Sequence, residues 1–335
     1  MKKVLIATTA LVASAGFAAA DVAISGDGRL GVIFNDNSGD AEFTSRARVA
    51  FTLSGETDNG IAFGGSFRAD NASSASSGTA GSVFVSGDFG KLSMGDVDSA
   101  AEAAVGNISG VGLTGLNDTH ELTYLSGSDT DGDGDSDFLA PLPQALYEYS
   151  TGAFSFYLSA GSPDGASEST TTPNFTTNTY DVVVLQSENV YGVGASYSGD
   201  NWKVGAGWET ADLTLSESLG NNIGSLPAAP VVTSGTVDSW YIGGEASFGD
   251  ATVKANYGDG DLIQQWGISL DYVFGATTLT AFYHDEQGQG AATGLDSEAY
   301  GLGASYDLGG GASLVAGWRN ANDDNKADFG IKFNF

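Results

Sequence analysis

The sequence predicts an all-β chain, a transmembrane antiparallel β-barrel of about sixteen strands. Three observations carry that expectation. Apolar and polar residues alternate along most of the chain, connections switch regularly between short and long, and the chain closes on an aromatic strand, "KADFGIKFNF".

The first twenty residues stand apart. Lys2 and Lys3 form a basic start, "VLIATTALVASAGF" is a short apolar run, and Ala18-Ala19-Ala20 offers a small-residue cleavage site. This pattern reads as a secretory signal peptide over 1–20, with a mature chain from Asp21. The apolar run is too short to span a bilayer as a helix. Cleavage removes two lysines and no acid, which takes the net charge from −30 to −32. So acidic a chain argues against nucleic acid and anionic lipid as electrostatic partners and favours divalent cations. There is no cysteine, hence no disulfide and no thiolate chemistry. Glycine is abundant (49) and proline rare (6), and the 11% of aromatic residues set the chain apart from disordered, low-complexity sequences.

The strands follow in order. In "AISGDGRLGVIF" (23–34), Ile24, Leu30, Val32 and Phe34 share a face, with Asp27 and Arg29 on the other. "FTSRARVAFTLS" (43–54) sets Phe43, Val49, Phe51 and Leu53 against Arg46, Arg48 and Thr52. "GIAFGGSFRAD" (60–70) sets Ile61, Phe63 and Phe67 against Arg68. Repeated alternation of this kind describes a sheet with a different solvent on each side. Tight turns fall at "SGETDNG", "GDFG", "STGA", "SGDN", "FGDA", "FGAT" and "DLGGG". Between them lie longer polar stretches at 35–41, 71–79, 97–143, 161–188, 211–237, 259–263, 286–296 and 320–325. The run "YDVVVLQS" (180–187) fits either a strand or a loop wall.

Short turns at one end, long loops at the other and an even strand number define the bacterial outer-membrane barrel. Closure pairs every backbone group, and lipid takes the apolar face. A β-sandwich adhesin would not require the alternating loop rhythm. A solenoid needs a fixed period, and "YGVGASY", "YIGGEASF" and "YGLGASY" recur at irregular spacing.

The chain resembles the general diffusion porins of purple photosynthetic and related alphaproteobacteria, the Rhodobacter-type porins. "ISGDGRLGVIF", "FTSRARVAFTLSG", "FGKLSMGD" (89–96), "YGLGASYDLGGGAS" (300–313) and "GIKFNF" carry the likeness, and 160–240 matches only in rhythm. The resemblance implies a barrel of sixteen strands, a homotrimer, and passive diffusion of ions and small hydrophilic solutes. It also implies that the third long loop, 97–143, folds into the lumen as the constriction. The alternatives are a structural or adhesive barrel and a substrate-selective channel.

Arg29, Arg46, Arg48 and Arg68 all fall on the polar face of the first three strands. An arginine facing mid-membrane lipid costs on the order of 2–4 kcal/mol, which a water-filled lumen removes. They form either a pore-lining cluster or simple pairs with Asp27 and Asp70. The resemblance implies acids opposite them on the inward loop, and Glu102, Asp118 and Glu121 are the candidates. Residues 103–117 contain no acid, a departure that implies a less charged apex.

Asp129, Asp131 and Asp133 with Gly134 fit the start of an EF-type calcium loop, and Asp137 takes the ninth position. Ala140 stands where a bidentate glutamate belongs, so the segment is not an EF-hand. A structural Ca2+ shared with barrel carboxylates or with lipopolysaccharide is the expectation, against a plainly solvated acidic run. Nothing points to an enzyme. The chain has two histidines, His120 and His284, no Gly-x-Ser-x-Gly elbow before a helix and no zinc-type spacing. The aromatics Trp208, Trp240, Tyr241 and Tyr300 read as lipid-facing or girdle residues.

Overall fold

The computed structural model describes residues 21–35, 40–70, 81–126, 144–161, 167–174, 179–219, 231–290 and 296–335. Residues 1–20, expected to be a signal peptide, and the calcium candidates Asp129, Asp131, Asp133 and Asp137 lie outside the described residues.

The first wall comprises β1 (Asp21–Asn35), β2 (Asp40–Glu56), β3 (Ala62–Asp70), β4 (Ser82–Gly87) and β5 (Gly90–Gly95). A single helical turn and a half, α1 (Ala100–Val105), precedes β6 (Gln144–Thr151), β7 (Phe154–Gly161), β8 (Ser167–Asn174) and β9 (Thr179–Ser198). Then come β10 (Trp202–Leu219), β11 (Val231–Phe248), β12 (Ala251–Gly260), β13 (Ile263–Phe274) and β14 (Thr277–Gly288). The last hairpins hold β15 (Ser297–Gly309), β16 (Ala312–Ala321) and β17 (Asp324–Asn334).

Each strand pairs antiparallel with its neighbour, and β1 pairs with β17 from Asp27↔Asn334 to Asn35↔Lys326, which closes the ring. The terminal Phe335 completes the seam by exchanging backbone hydrogen bonds with Gly26. The ring contains sixteen strands, because β7 pairs directly with β9 and β8 pairs only with the outer half of β9. All seven short turns fall where the sequence places them. Gly152, Gly249 and Gly275 take φ of 62°, 65° and 62° in three of these turns, a region open to glycine at no steric cost.

Two expectations need correction. The stretches 161–188 and 211–237 are largely strand rather than loop, since β8–β11 extend well past the ring's shorter members. Their polar, β-branched residues read as loop because neither face is a continuous apolar band. Tyr241 is the second correction. It is only 2% exposed and points away from lipid, as its neighbours Trp240 and Ile242, both exposed, require by strand alternation.

Alternation sorts the two faces cleanly. On β13, Trp266, Ile268, Leu270 and Tyr272 are exposed on the outside, while Gln265, Gly267 and Ser269 turn the other way. Exposed apolar residues over so large an area belong in lipid. The buried core is displaced accordingly. It lies between the polar face of the wall and the segment 97–126. Ile108, Val111, Leu116 and Phe282 form one cluster, and Ala101, Leu122, Tyr124 and Tyr241 another.

Candidate functional site

The segment after β5 is held to the wall along its whole described length. Ser99 caps α1, its hydroxyl accepting from the Glu102 backbone N–H, and the Ala100 N–H donates to Ser159 Oγ on β7 at 2.9 Å. The helix packs on β7, β9, β10 and β11. Farther along, the Ser109 N–H and hydroxyl donate to Ser269 and Asp271 on β13, at 2.9 and 2.6 Å. At the far end Asp328 on β17 accepts from the Leu113 and Thr114 N–H groups and the Thr114 hydroxyl, at 2.8, 2.7 and 2.8 Å.

The chain then reverses. Leu116 C=O accepts from Arg319 on β16, and Asn117 Oδ1 accepts from Lys326 on β17. On the return pass, Thr123 is gripped by Gln265 and Glu286, and Leu125 and Ser126 donate to Glu209 on β10 at 2.9 and 3.1 Å. Glu209 is fully buried and Asp328 only 2% exposed. Each accepts two or three hydrogen bonds from the loop, charge-assisted where the group is ionised.

Close approach of loop and wall depends on glycine. A β-carbon at Gly207 would stand 2.5 Å from Ala101 Cα, and one at Gly243 would stand 2.8 Å from Val105 Cγ1. The three recurring motifs of the sequence supply part of this bed. Gly194 of "YGVGASY" and Gly243 of "YIGGEASF" lie under the helix, and Gly303 of "YGLGASY" lies under Val111.

With the polar faces from β9 to β17 occupied, the charged wall from β17 round to β3 is left. Arg29 is in register with Arg46 on β2 and with Lys332 on β17, and Asp27 with Arg48. The patch therefore has a fifth cation, Lys332, which the sequence reading missed because β17 is last in the chain and first in space. Arg46 pairs with Asp27 at 3.3 Å, Arg48 with Asp70 at 3.0 Å, and Arg68 with Asp70 through two bonds of 2.7 and 3.0 Å. The pairing expected for the arginines is present. They pair with Asp27 and Asp70, and five cations against two acids leave the patch positive.

The three loop acids part company. Glu102 sits on α1, whereas Asp118 and Glu121 flank His120 on the return pass, with carboxylate oxygens 3.9 Å from Nδ1 and 3.8 Å from Nε2. His120 packs edge-on to Phe282 of β14. Burial, then His284 and Lys254 nearby, pushes the His120 imidazole down to about 4. The two carboxylates, beyond hydrogen-bonding reach, do not reverse it. At the start of the loop, burial and the carboxylates of Glu148 and Asp96 raise the Asp98 carboxyl above its ordinary range, against the pull of Lys91. The wall clamps Asp328, Asp271, Glu209 and Gln265 were not among the expected site residues. Their only sequence signal is that each occupies a polar-face position beside glycine-bearing strands.

A closed ring of sixteen strands, apolar outside and charged inside, defines an outer-membrane β-barrel channel. Comparison with known proteins agrees: the family description "Gram-negative porin" matches residues 7–326, and the chain belongs to that family. The porin of Rhodobacter capsulatus is 36% identical over 342 residues, covering 94% of this chain and all of that one. The porin of Fuscovulum blasticum is 26% identical at the same coverage. A porin structure refined at 1.8 Å superposes with a TM-score of 0.68 at 32% identity, over 94% of this chain and the whole of that one. The protein is an outer-membrane porin that passes small solutes by passive diffusion.

Proposed function

We propose that the loop and the arginine wall together form the constriction of the pore. The clamping of 97–126 on the polar face of β9–β17 supports this reading most directly. A strip of loop laid along one inner wall narrows the channel toward the opposite wall, where Lys332, Arg29, Arg46, Arg48 and Arg68 project. Asp118 and Glu121 on the loop are the negative counterpart proposed for this positive wall, and the two together would set up a transverse field. Such a field orients dipolar solutes and disfavours apolar ones, because a water-filled, low-dielectric-walled passage focuses it. Glu102, held on α1, contributes at the entrance to the same strip.

A homotrimer belongs to this reading. β4 and β5 have six residues each. A spanning strand needs about 9–11. On their outer side Leu53, Phe67, Val83 and Met94 line an apolar groove. Walls too short for the bilayer are covered by neighbouring subunits, and the long strands β9–β17 face lipid and lipopolysaccharide. Structural calcium at Asp129, Asp131, Asp133 and Asp137 is the remaining element of the proposal. Five aspartates in nine residues repel one another until a cation bridges them.

Planar-bilayer recordings test the whole. The reading expects steady current steps in groups of three and a rise in current noise on chelation of calcium. Single, unclustered steps would refute the trimer, and an unchanged trace with chelator would refute the calcium role.

A further inference from the structure

Three potential metal ligands converge on the return pass of the loop, two of them the acids Asp118 and Glu121 of the proposed constriction, a reading this site deepens. One donor atom from each of Asp118, His120 and Glu121 lies within 4.8 Å of the other two. Nδ1 of His120 is sealed from solvent and has no hydrogen-bond partner. The carboxylates that flank the ring stop at 3.9 and 3.8 Å, too far to bond to it. A ring flip exchanges the two nitrogens and leaves a carboxylate beside each.

The spacing suits an ion better than a proton. Nitrogen and oxygen ligands about 2.0–2.2 Å from one tetrahedral ion stand roughly 3.3–3.6 Å apart. Because the two carboxylates flank different ring nitrogens, an ion on one nitrogen requires the farther carboxylate to swing round toward it, within the 4.8 Å spread of the three donors. Side-chain exposure rises from 11% at His120 to 38% at Glu121, so the cluster is closed behind the ring and open in front. An ion enters past Glu121, and water completes its shell. The nearby Lys254 opposes a cation, but two carboxylates outweigh one ammonium.

The geometry points to a binding site for a divalent transition ion, zinc foremost, held by His120, Asp118 and Glu121. An imidazole with two carboxylates is a donor set for late first-row metals, whereas calcium and magnesium favour oxygen alone. Backbone φ is positive at Leu116, Asn117 and Asp118. An ion bound just beyond them would staple the reversal of the loop and add positive charge beside the pore.

The test uses the intact protein in detergent, stripped with chelator and titrated with zinc chloride by calorimetry. Cobalt(II) absorption in the visible serves as a second readout of nitrogen-oxygen coordination. We expect one saturable zinc site, weakened at least tenfold by His120→Gln and severalfold by Glu121→Gln, with equimolar calcium unable to displace it. Glu121 is the safer variant for folding because its side chain is partly in solvent. Zinc affinity unchanged in both variants, or equal competition by calcium, overturns the proposal.

Discussion

Truncating Asp328 isolates the far clamp of the loop. Its carboxylate accepts three hydrogen bonds of 2.7–2.8 Å from Leu113 and Thr114 and is nearly inaccessible to water. Bonds to a charged group contribute about 1.5–3 kcal/mol each, and water entering the space left by Asp328→Ala recovers part of that. Taking the low end of that range for each of the three bonds gives a loss of about 4.5 kcal/mol in local docking. At about 1.4 kcal/mol per factor of ten, the ratio of docked to released tip falls by about three orders of magnitude. Glu209, Gln265 and Asp271 still hold the rest of the strip, so the barrel stays folded and only 110–118 loosens. Asp328→Asn keeps one acceptor oxygen and loses less. Single-channel current noise and limited proteolysis of the loop read the effect: both rise in the alanine variant and less in the asparagine one. Alanine at 328 with wild-type noise, conductance and protease resistance would refute the clamp.

Other consequences follow from the same geometry. Gly207→Val drives a branched side chain into the Ala101 backbone, and overpacking of this kind costs about 1–3 kcal/mol. It should shift α1 and change conductance while heat-stable assembly on gels persists. Arg48→Ala removes a cation from the positive wall and should move the reversal potential in a salt gradient toward stronger cation preference. Asp98 carries a raised carboxyl pKa in the folded chain, so its favourable share of stability is complete below the ordinary value of 3.8. That share is lost as pH rises through the folded pKa. Asp98→Asn is therefore expected to raise the melting temperature at pH 7 and to have little effect near pH 3, which thermal unfolding at both pH values checks.

The wall was legible in the sequence because period-2 alternation with lipid on one side leaves a strong local signature. Ile24, Leu30, Phe34, Phe43 and Val49 all face outward as the pattern requires. The arginine patch was legible for the same reason, except for Lys332, whose neighbour Arg29 stands at the opposite end of the chain. Loop placement was less accessible, since it depends on contacts such as Leu113–Asp328 and Leu125–Glu209 that join distant residues. Tyr241 was misplaced because an aromatic beside Trp240 looks like a girdle residue, whereas adjacent strand positions face opposite sides. Helix α1 is six residues long, too short to leave a helical period, and it is held by the Ser99 cap and by glycines beneath it.

The chain has no cysteine of its own, which permits one decisive measurement. Single cysteines at Arg48, on the proposed constriction wall, and at Val49, on the lipid face, are treated with an anionic thiosulfonate during single-channel recording. The account predicts a stepwise drop in conductance and a shift toward cation preference at position 48, with position 49 silent. Modification at 48 that leaves both current and reversal potential unchanged would contradict it.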